Sequence, residues 1–529
     1  AGPTAVSFAT RSGSTARIHT GVAADYYMRG SFANGDGTYS LLLECPGTSV
    51  VRWDPRTDEI QSRRLQEPPS PSAPAAAGSI HRLIRDDAGR VYLPGMGWFD
   101  PARQEVATDG PRPLKEMTWF ARRGSRAYGV RSRDGDITLA LWDMNSGAVS
   151  DTGQVPNATQ HGVNLTRNGR IVAVSVYGEF SRFDAETGRL ECSRRFPATA
   201  IQHVDCLRRI SATRLLGTPF ITQRFWEVDL ESGQGHDCGR AAPGMGEVLQ
   251  TWNLNGRLYM AEYGGGRLVE YDPAEHPHFP ENPRTVANPP ESMRPIAAAD
   301  DGRCLFYSCS AHYGHLGSTV TRYDTVTGIS LSAVNPLPTQ RIVSLRYDAA
   351  KAVLLASTSY DADCKSCPPA SQSCYLARLD AGDLHAIEQI EAPAGTAVAT
   401  LRGPLGDDRW LCQFAGRVAW HGEAVANLLA VLESRPGLRL DLTTAWVLPA
   451  AWRALEYAGV AGLFVVHAGE QIELWDLRQR LCRRVLCRDA AHRRLQVDTD
   501  SFRSGQAPQP TFYLVGERDV IVSDLDVQA

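Results

Sequence analysis

An aspartate that directly follows a hydrophobic or aromatic residue recurs along the 529-residue chain at nearly regular intervals. Neighbouring copies are 41 to 56 residues apart, except that the last two are 96 residues apart, which is two such periods. A turn usually follows the aspartate, as in Asp184–Gly188 and Asp324–Gly328. A period of this length is typical of proteins built from repeated supersecondary units. The aspartates are Asp54, Asp100, Asp143, Asp184, Asp229, Asp272, Asp324, Asp380 and Asp476.

Each repeat contains four short runs of residues that favour β-strands, and polar turns separate these runs. The first turn usually contains glycine, as at Asp87-Ala88-Gly89 and Arg167-Asn168-Gly169. Such runs and turns predict antiparallel hairpins. Four strands in each repeat favour a β-propeller over stacked β-sandwiches, because sandwiches do not explain the regular aspartate period. The sequence therefore predicts an all-β chain that forms a β-propeller with seven or eight four-stranded blades.

The repeat weakens in the last quarter of the chain. We therefore predict that residues 1–395 form the propeller and that residues 396–529 supply closing strands and an appended mixed subdomain. Further blades over the same residues are the alternative. Within this region, the sequence pattern of residues 424–435 and 449–457 predicts helices.

The composition is that of an ordinary globular protein, with 43% hydrophobic and 22% charged residues and a formal charge of -4. This balance argues against a dedicated nucleic-acid binder, which usually carries a basic excess. No apolar run is long enough for a membrane-spanning helix, so no membrane partner is expected. The chain begins at Ala1 and shows no signal-peptide pattern, so either a targeting segment or an expression tag has been removed. The compartment stays open, with a secreted or periplasmic location favoured.

Histidine or arginine recurs at the start of the first strand of the repeats. His81, His161 and Arg294 each lie eight residues before the glycine of the next turn. His203 and Gln250 take the same place if the strand length varies. Because the first strand of each propeller blade lines the central channel, we expect these side chains to converge at one mouth. The predicted channel-entry positions are Arg29, His81, Met117, His161, His203, Gln250, Arg294 and Arg341.

The loop after the second strand of several repeats carries a tyrosine, often followed by glycine. Tyr177, Tyr263 and Tyr313 are such residues, and His312 lies beside Tyr313. A glycine at this place allows a sharp turn or the close approach of a ligand. We expect these loops to surround the same mouth.

The residue types at this mouth favour proton transfer next to an anion. Arginines favour a carboxylate, sulfate or phosphate ligand, because guanidinium pairs bidentately with such groups. Histidine and tyrosine are proton-transfer groups. A β-elimination next to a uronic acid needs this combination. Arginine offsets the carboxylate charge and makes the C5 proton acidic, one group removes that proton, and another donates to the leaving oxygen.

The arrangement resembles that of β-propeller polysaccharide lyases, such as ulvan and oligogalacturonate lyases, and of related propeller enzymes that act on rhamnose-glucuronate linkages. The resemblance rests on architecture and residue type over residues 20–395. In those families a catalytic histidine, tyrosine and arginine lie at the axial mouth. The resemblance implies a carbohydrate-active enzyme here, a lyase that cleaves an acidic, uronate-containing glycan.

These considerations lead to a set of predicted site residues. The predicted catalytic residues are His161, His203, Tyr177 and Tyr263. The predicted substrate-binding residues are His81, Gln250, Arg294, Arg341, Tyr313 and His312. The expected partner is an acidic oligosaccharide or polysaccharide, with no nucleic acid and no membrane. The alternative is a non-catalytic propeller scaffold that binds proteins.

No cofactor is assigned, although a divalent metal is a second use for the histidines. His81, His161 and His203 together with Gln250 could bind such an ion, but ligands from separate repeats have no diagnostic spacing. Cys364 and Cys367, with Cys374 nearby, are interpreted as a disulfide that staples their loop, with zinc as the alternative.

Overall fold

The fold of this chain is known from a computed structural model. Short antiparallel strands dominate it, together with one helical turn, α1 (Asp500–Arg503), and a 3-10 turn at Asp363–Lys365. The all-β prediction is therefore confirmed. Within the described ranges, no helix is both long and apolar enough to cross a membrane. The structure describes residues 5–9, 15–19, 27–44, 48–66, 84–93, 96–107, 117–133, 136–155, 158–175, 179–195, 203–220, 222–242, 246–435, 437–504, 507, 509–516 and 519–527.

The chain divides into two compact units near residue 200. The first unit comprises residues 1–200 with two short loop segments, 313–315 and 364–368. The second unit comprises the remaining residues from 201 to 529. The domain boundary predicted at residue 395 lies inside this second unit.

In the described part of the first unit, the strands form one hairpin and four sequential antiparallel sheets. The sheets are β3–β6, β7–β9, β10–β13 and β14–β17, after the hairpin β1–β2. Their bounds are β1 (Ala5–Ala9), β2 (Thr15–His19), β3 (Tyr27–Ala33), β4 (Tyr39–Glu44), β5 (Thr48–Asp54), β6 (Glu59–Gln66), β7 (Val91–Leu93), β8 (Gly97–Asp100), β9 (Glu105–Ala107), β10 (Met117–Arg123), β11 (Arg126–Arg133), β12 (Asp136–Asp143), β13 (Val149–Val155), β14 (Ala158–Leu165), β15 (Arg170–Ser175), β16 (Glu179–Asp184) and β17 (Leu190–Arg195).

Successive sheets of the first unit pack face to face through apolar side chains. Phe32 of β3 packs with Val91 of β7, and Trp98 of β8 packs against Trp142 of β12. The rings of Trp98 and Trp142 stack with their centroids 5.9 Å apart. Large buried aromatic rings of this kind contribute several times the apolar area of a small side chain, so they anchor the sheet contacts.

The described residues of the second unit form seven strand groups that follow one another along the chain. Six groups have four strands and the last has three; a single bridge between Ser359 and Val398 joins the fourth group to the fifth. The first four groups are β18 (Val204–Arg209), β19 (Arg214–Pro219), β20 (Arg224–Asp229), β21 (Gly235–Arg240); β22 (Val248–Leu254), β23 (Arg257–Glu262), β24 (Leu268–Tyr271), β25 (Arg284–Ala287); β26 (Arg294–Asp300), β27 (Cys304–Ser310), β28 (Ser318–Asp324), β29 (Ser330–Val334); and β30 (Arg341–Asp348), β31 (Val353–Ser359), β32 (Tyr375–Asp380), β33 (Ala386–Glu391).

The remaining three groups lie in the region where helices were predicted. They are β34 (Thr396–Gly406), β35 (Arg409–Trp420), β36 (Glu423–Glu433), β37 (Arg439–Val447); β38 (Trp452–Tyr457), β39 (Leu463–Ala468), β40 (Gln471–Asp476), β41 (Leu481–Cys487); and β42 (Arg494–Asp498), β43 (Thr511–Val515), β44 (Val520–Asp524). The predicted helices at 424–435 and 449–457 are wrong, because β36 and β38 occupy these segments. Leu428 and Leu432 of β36 are buried in a sheet-to-sheet core, and this tertiary packing overrides the local helical preference.

The recurring aspartate has a structural role at the end of the third strand of most groups. In Asp184, Oδ1 accepts hydrogen bonds from the backbone N–H groups of Glu186 (3.1 Å) and Thr187 (3.0 Å). The bond from Thr187 lowers the pKa of the Asp184 carboxyl, because it favours the charged form. The aspartate thus caps the turn to the fourth strand, which explains its period without any catalytic role.

The first strands of the seven groups form a closed circuit of contacts. The first strand of each group lies beside the first strand of the next, from β18 to β42, and β42 also lies beside β18. Asp498, at the end of β42, is fully buried. Its carboxylate accepts hydrogen bonds from the Arg208 side chain (2.8 Å) and from the backbone N–H of Arg209 (3.1 Å) at the end of β18. The Tyr513 hydroxyl donates to the same carboxylate at 3.2 Å.

We predict that Asp498→Ala strongly destabilises the second unit. The substitution leaves the largely buried Arg208 guanidinium without its carboxylate, and breaking a buried ion pair on one side costs about 3–5 kcal/mol. Urea unfolding followed by tryptophan fluorescence measures the loss. The matched control is Asp519→Ala, which removes an exposed partner of Arg493 and is expected to change stability little. Equal effects of the two substitutions would contradict the role assigned to Asp498.

Candidate functional site

A β-bulge near the start of the first strand gives four consecutive groups the same register. The pairing with the second strand shifts between Val204 and Cys206 in β18 and between Val248 and Gln250 in β22. The same shift falls between Pro295 and Ala297 in β26 and between Ile342 and Ser344 in β30. A bulge bends and twists its strand, so it fixes the direction of the neighbouring side chains. In each of these strands, the residue two positions before the bulge residue occupies the equivalent place. These residues are His203, Glu247, Arg294 and Arg341.

This register agrees with the channel-entry positions predicted from the sequence at three places and differs at the fourth. His203, Arg294 and Arg341 are equivalent, as the sequence predicts. Gln250 lies three residues farther along β22, and its amide donates to the Ile296 carbonyl at 3.0 Å. Glu247 occupies the equivalent place. Glu247 lies nine residues before the turn glycine Gly256, whereas Arg294 lies eight residues before Gly302, so a fixed count from the turn does not find Glu247.

Arg294 is the centre of the contacts in this cluster. Its Nε donates to Oδ2 of Asp363 at 3.0 Å, and Nη1 of Arg341 donates to the other oxygen, Oδ1, at 3.3 Å. Asp363 is buried, while both arginines are partly exposed. The guanidinium carbon of Arg294 lies 4.3 Å from the centre of the Tyr263 ring, which is a cation–π distance. One carboxylate thus serves two arginines, and the set keeps one positive charge.

The Tyr263 loop is held in place by a buried polar pair beneath it. The Gln223 amide donates to the Tyr263 carbonyl at 2.8 Å and to the Glu262 carboxyl. Gly246 packs against the ring: its φ is +146°, and an added Cβ would lie 2.5 Å from Cδ1 of Tyr263. Burial raises the pKa of Glu262 to about 7, although Arg267, 3.1 Å away, and Gln223 favour its charged form.

Two further carboxyl groups lie within electrostatic range of Arg294. Burial raises the pKa of Glu247; the Arg294 charge opposes this rise and the Asp205 charge adds to it. Burial also raises the pKa of Asp205, against the charges of Arg494, His203 and Arg294. Oε2 of Glu247 and Oδ2 of Asp205 have no hydrogen-bond partner among the described residues. Both oxygens are buried, and a bound water would satisfy them.

The structure describes only part of the predicted site. His203 is exposed, Tyr263, Arg294 and His312 are half-buried, and all four belong to the second unit. His161 lies in β14 of the first unit, where its side chain is not described. Tyr313 belongs to a loop segment of the first unit and is buried. Met117 opens β10 and is also buried; His81, Tyr177 and the side chain of Arg29 lie outside the described residues.

Sequence reasoning missed the acidic members of the cluster. Glu247 could not be assigned by counting because its strand has a different register. Asp205 is the bulge residue of β18, and Asp363 lies in the loop after β31. No periodic signal marks Asp363. A search for acidic residues at the start of each first strand could have found the other two.

The cysteine prediction is corrected. Cys364, Cys367 and Cys374 are free thiols, so the expected disulfide staple is wrong. Cys374 is buried, and its thiol donates to the carbonyls of Thr396 (3.3 Å) and Ala397 (3.2 Å). These bonds tie Cys374 to β34.

Two side-chain sets in the described part of the chain could hold a metal ion. They are Glu227 with His236 and Cys238, and Asp380 with Asp383 and His385. Neither includes His203 or Gln250, so the predicted metal site of the mouth stays a prediction.

Comparisons with known proteins leave the family open. No known protein family matches the sequence, and no curated protein matches it either. A solved structure of Kuenenia stuttgartiensis hydrazine synthase is similar, with a TM-score of 0.44 and 10% sequence identity, over 62% of this chain and 97% of that one. The tricorn protease has a TM-score of 0.37 and 11% identity over 97% of this chain, which spans 60% of that protein. A computationally designed protein, Ika8, has a TM-score of 0.26 and 12% identity, over 78% of this chain and 96% of that one.

Glu262 predicts a pH dependence of stability near neutrality. Its folded pKa of about 7 lies above the ordinary value of 4.5, so the folded state holds this proton more tightly. The resulting stabilisation is complete below the unfolded pKa and is lost as the pH rises through about 7, by roughly 3 kcal/mol in total.

The measurement is urea unfolding of the protein and of Glu262→Gln between about pH 5 and pH 8. We expect the protein to lose more stability than the variant across this interval, because glutamine does not titrate. Glu281→Gln, at an exposed glutamate, is the control and should follow the unsubstituted protein. Parallel curves for Glu262→Gln and the protein would contradict the assignment.

Proposed function

We propose that the seven strand groups of residues 201–529 are the blades of a seven-bladed β-propeller. We further propose that the cluster around Arg294 is the active site of a carbohydrate-active enzyme that cleaves a uronate-containing glycan. The supporting observation is that His203, Glu247, Arg294 and Arg341 share one register position in four consecutive groups. Because first strands of successive groups lie side by side, these side chains project from neighbouring strands of one circuit.

The arginines would recognise the uronate carboxylate. Asp363 neutralises one of the two guanidinium charges and holds both side chains in place. The remaining charge would offset the substrate carboxylate. That offset is the first requirement for removing the C5 proton, because the carbanion next to a charged carboxylate is otherwise too unstable.

The proton transfers of a β-elimination would fall to the neighbouring groups. Tyr263 or His203 would take the C5 proton, the bond between C4 and the glycosidic oxygen would break, and a C4–C5 double bond would form. Glu247 would give its proton to the leaving oxygen. Its raised pKa suits a general acid, because part of the carboxyl stays protonated closer to neutral pH.

Hydrolysis is a second candidate, and the pair Asp205 and Glu247 favours it. Glycoside hydrolases use two carboxyl groups, one as acid and one as base or nucleophile. Both groups here are electrostatically coupled, and each has an oxygen without a partner among the described residues. In this case Arg294 would tune the two pKa values.

One experiment separates these reactions. The protein is incubated with a panel of uronate-containing polysaccharides, and the ultraviolet absorbance of unsaturated uronate and the amount of new reducing ends are followed together. Both signals rise in an elimination, whereas only reducing ends rise in a hydrolysis. If neither signal rises on any substrate, the propeller is a non-catalytic scaffold for protein partners.

Two substitutions test the assigned roles on whichever substrate is cleaved. We predict that Glu247→Gln lowers kcat by about 10²–10⁴-fold, because glutamine cannot donate the proton. Tyr263→Phe is expected to lower kcat by a similar factor in an elimination and much less in a hydrolysis. Glu275→Gln, at an exposed turn, is the matched control and should retain full activity. Full activity of Glu247→Gln would remove the carboxyl from both mechanisms.

A further inference from the structure

In the first strand group of the second unit (β18–β21), the third and fourth strands carry a second cluster of reactive side chains. Glu227 lies on β20, and His236 and Cys238 lie on β21. One ligand atom from each side chain lies within 4.8 Å of the others. None of the three belongs to the cluster around Arg294.

The strand register brings these side chains to one face. Glu227 pairs directly with His236 across the two strands. Cys238 lies two residues beyond His236, at a bulge of the pairing, and therefore points to the same side. Cys238 also packs in the apolar core between the first two groups, beside Phe225 and Tyr271. His236 is exposed, which leaves solvent access to the cluster.

Two neighbouring side chains orient the Glu227 carboxylate. The Tyr271 hydroxyl donates to Oε1 of Glu227 at 2.7 Å, and the Arg214 guanidinium pairs with Oε2. His236 approaches Oε2 to 3.9 Å. Arg214 is partly exposed and also donates to the Pro273 carbonyl at 3.1 Å, so it can keep that bond while the carboxylate takes another partner.

We propose that Glu227, His236 and Cys238 form a binding site for a zinc-type divalent ion, separate from the proposed active site. A thiolate, an imidazole and a carboxylate match the ligand preferences of zinc and not those of calcium or magnesium, which prefer oxygen. Three protein ligands leave a fourth position for water or a substrate. Tyr271 and Arg214 then act as the outer groups that orient the ligating carboxylate.

Binding includes one proton transfer. A cysteine binds zinc through its thiolate, so the Cys238 thiol must lose its proton when the ion binds. The sulfur–proton bond breaks, the sulfur binds the ion as a thiolate, and the proton passes to solvent. The binding affinity should therefore rise with pH.

The other candidate set does not qualify and serves as a control. This set, Asp380 with Asp383 and His385, contains no sulfur, and Asp383 and His385 are exposed. Asp380 accepts the turn N–H groups of Gly382 (2.7 Å) and Asp383 (3.1 Å), in the same turn-capping role as the other periodic aspartates.

The test is titration of the full chain with cobalt(II) after treatment with a chelator. We expect one saturable site with a thiolate-to-cobalt charge-transfer band in the near ultraviolet, release of about one proton per ion, and displacement of cobalt by zinc. Cys238→Ser should lose the band. His236→Ala should weaken binding by at least about 10-fold.

Two controls keep the result specific. Cys367→Ser removes a half-buried thiol elsewhere, and His385→Ala disrupts the other candidate set; both should bind as the unsubstituted protein does. His236 is exposed, so His236→Ala is expected to fold even if Cys238→Ser does not. No charge-transfer band, a band that depends on Cys367, or unchanged affinity in His236→Ala would each overturn the proposal.

Discussion

A carboxylate that is sealed from solvent holds the second unit together where its last strand group meets its first. Asp498 accepts bonds from Arg208 and Arg209, which lie about 290 residues earlier in the sequence. Leu207 and Tyr513 pack in a shared core beside this ion pair. A contact between such distant segments carries a large entropic cost of loop closure, so it must combine apolar burial with directed polar bonds. The described cysteines are free thiols, so noncovalent contacts carry this closure in the described part of the chain.

The circuit has a consequence for chemistry because the first strands of successive groups lie side by side. A β-bulge at the same place in β18, β22, β26 and β30 gives their first side chains one orientation. Repetition of the backbone therefore produces a set of equivalent positions, and the sequence can fill each position with a different functional group. His203, Glu247, Arg294 and Arg341 are the result. Loops then add groups that no repeat position supplies, such as Asp363.

Much of the fold is predictable from the sequence because it rests on local chemistry. The aspartates cap turns through bonds to backbone groups two and three residues away, so their period reports the strand groups directly. The incorrect helix prediction has a nonlocal cause. β36 is a strand because Leu428 and Leu432 are buried against other sheets, which its own sequence does not reveal. The boundary near residue 200 depends on which groups contact each other, and a periodic pattern carries no such information.

The same distinction explains which register positions of the candidate site could be counted from the sequence. The register positions of Arg294 and Arg341 follow from strand length and could be counted along the sequence. The position of Glu247 could be assigned only once the structure showed the bulge in β22. The acidic residues that counting missed alter the electrostatics of the cluster. Arg294, Arg341 and Asp363 together keep one positive charge, and ionisation of both Asp205 and Glu247 would add two negative charges, which the Arg494 charge near Asp205 offsets only in part. Because burial raises the pKa of both carboxyls, the cluster stays attractive to an anion up to a higher pH than ordinary carboxyls would allow.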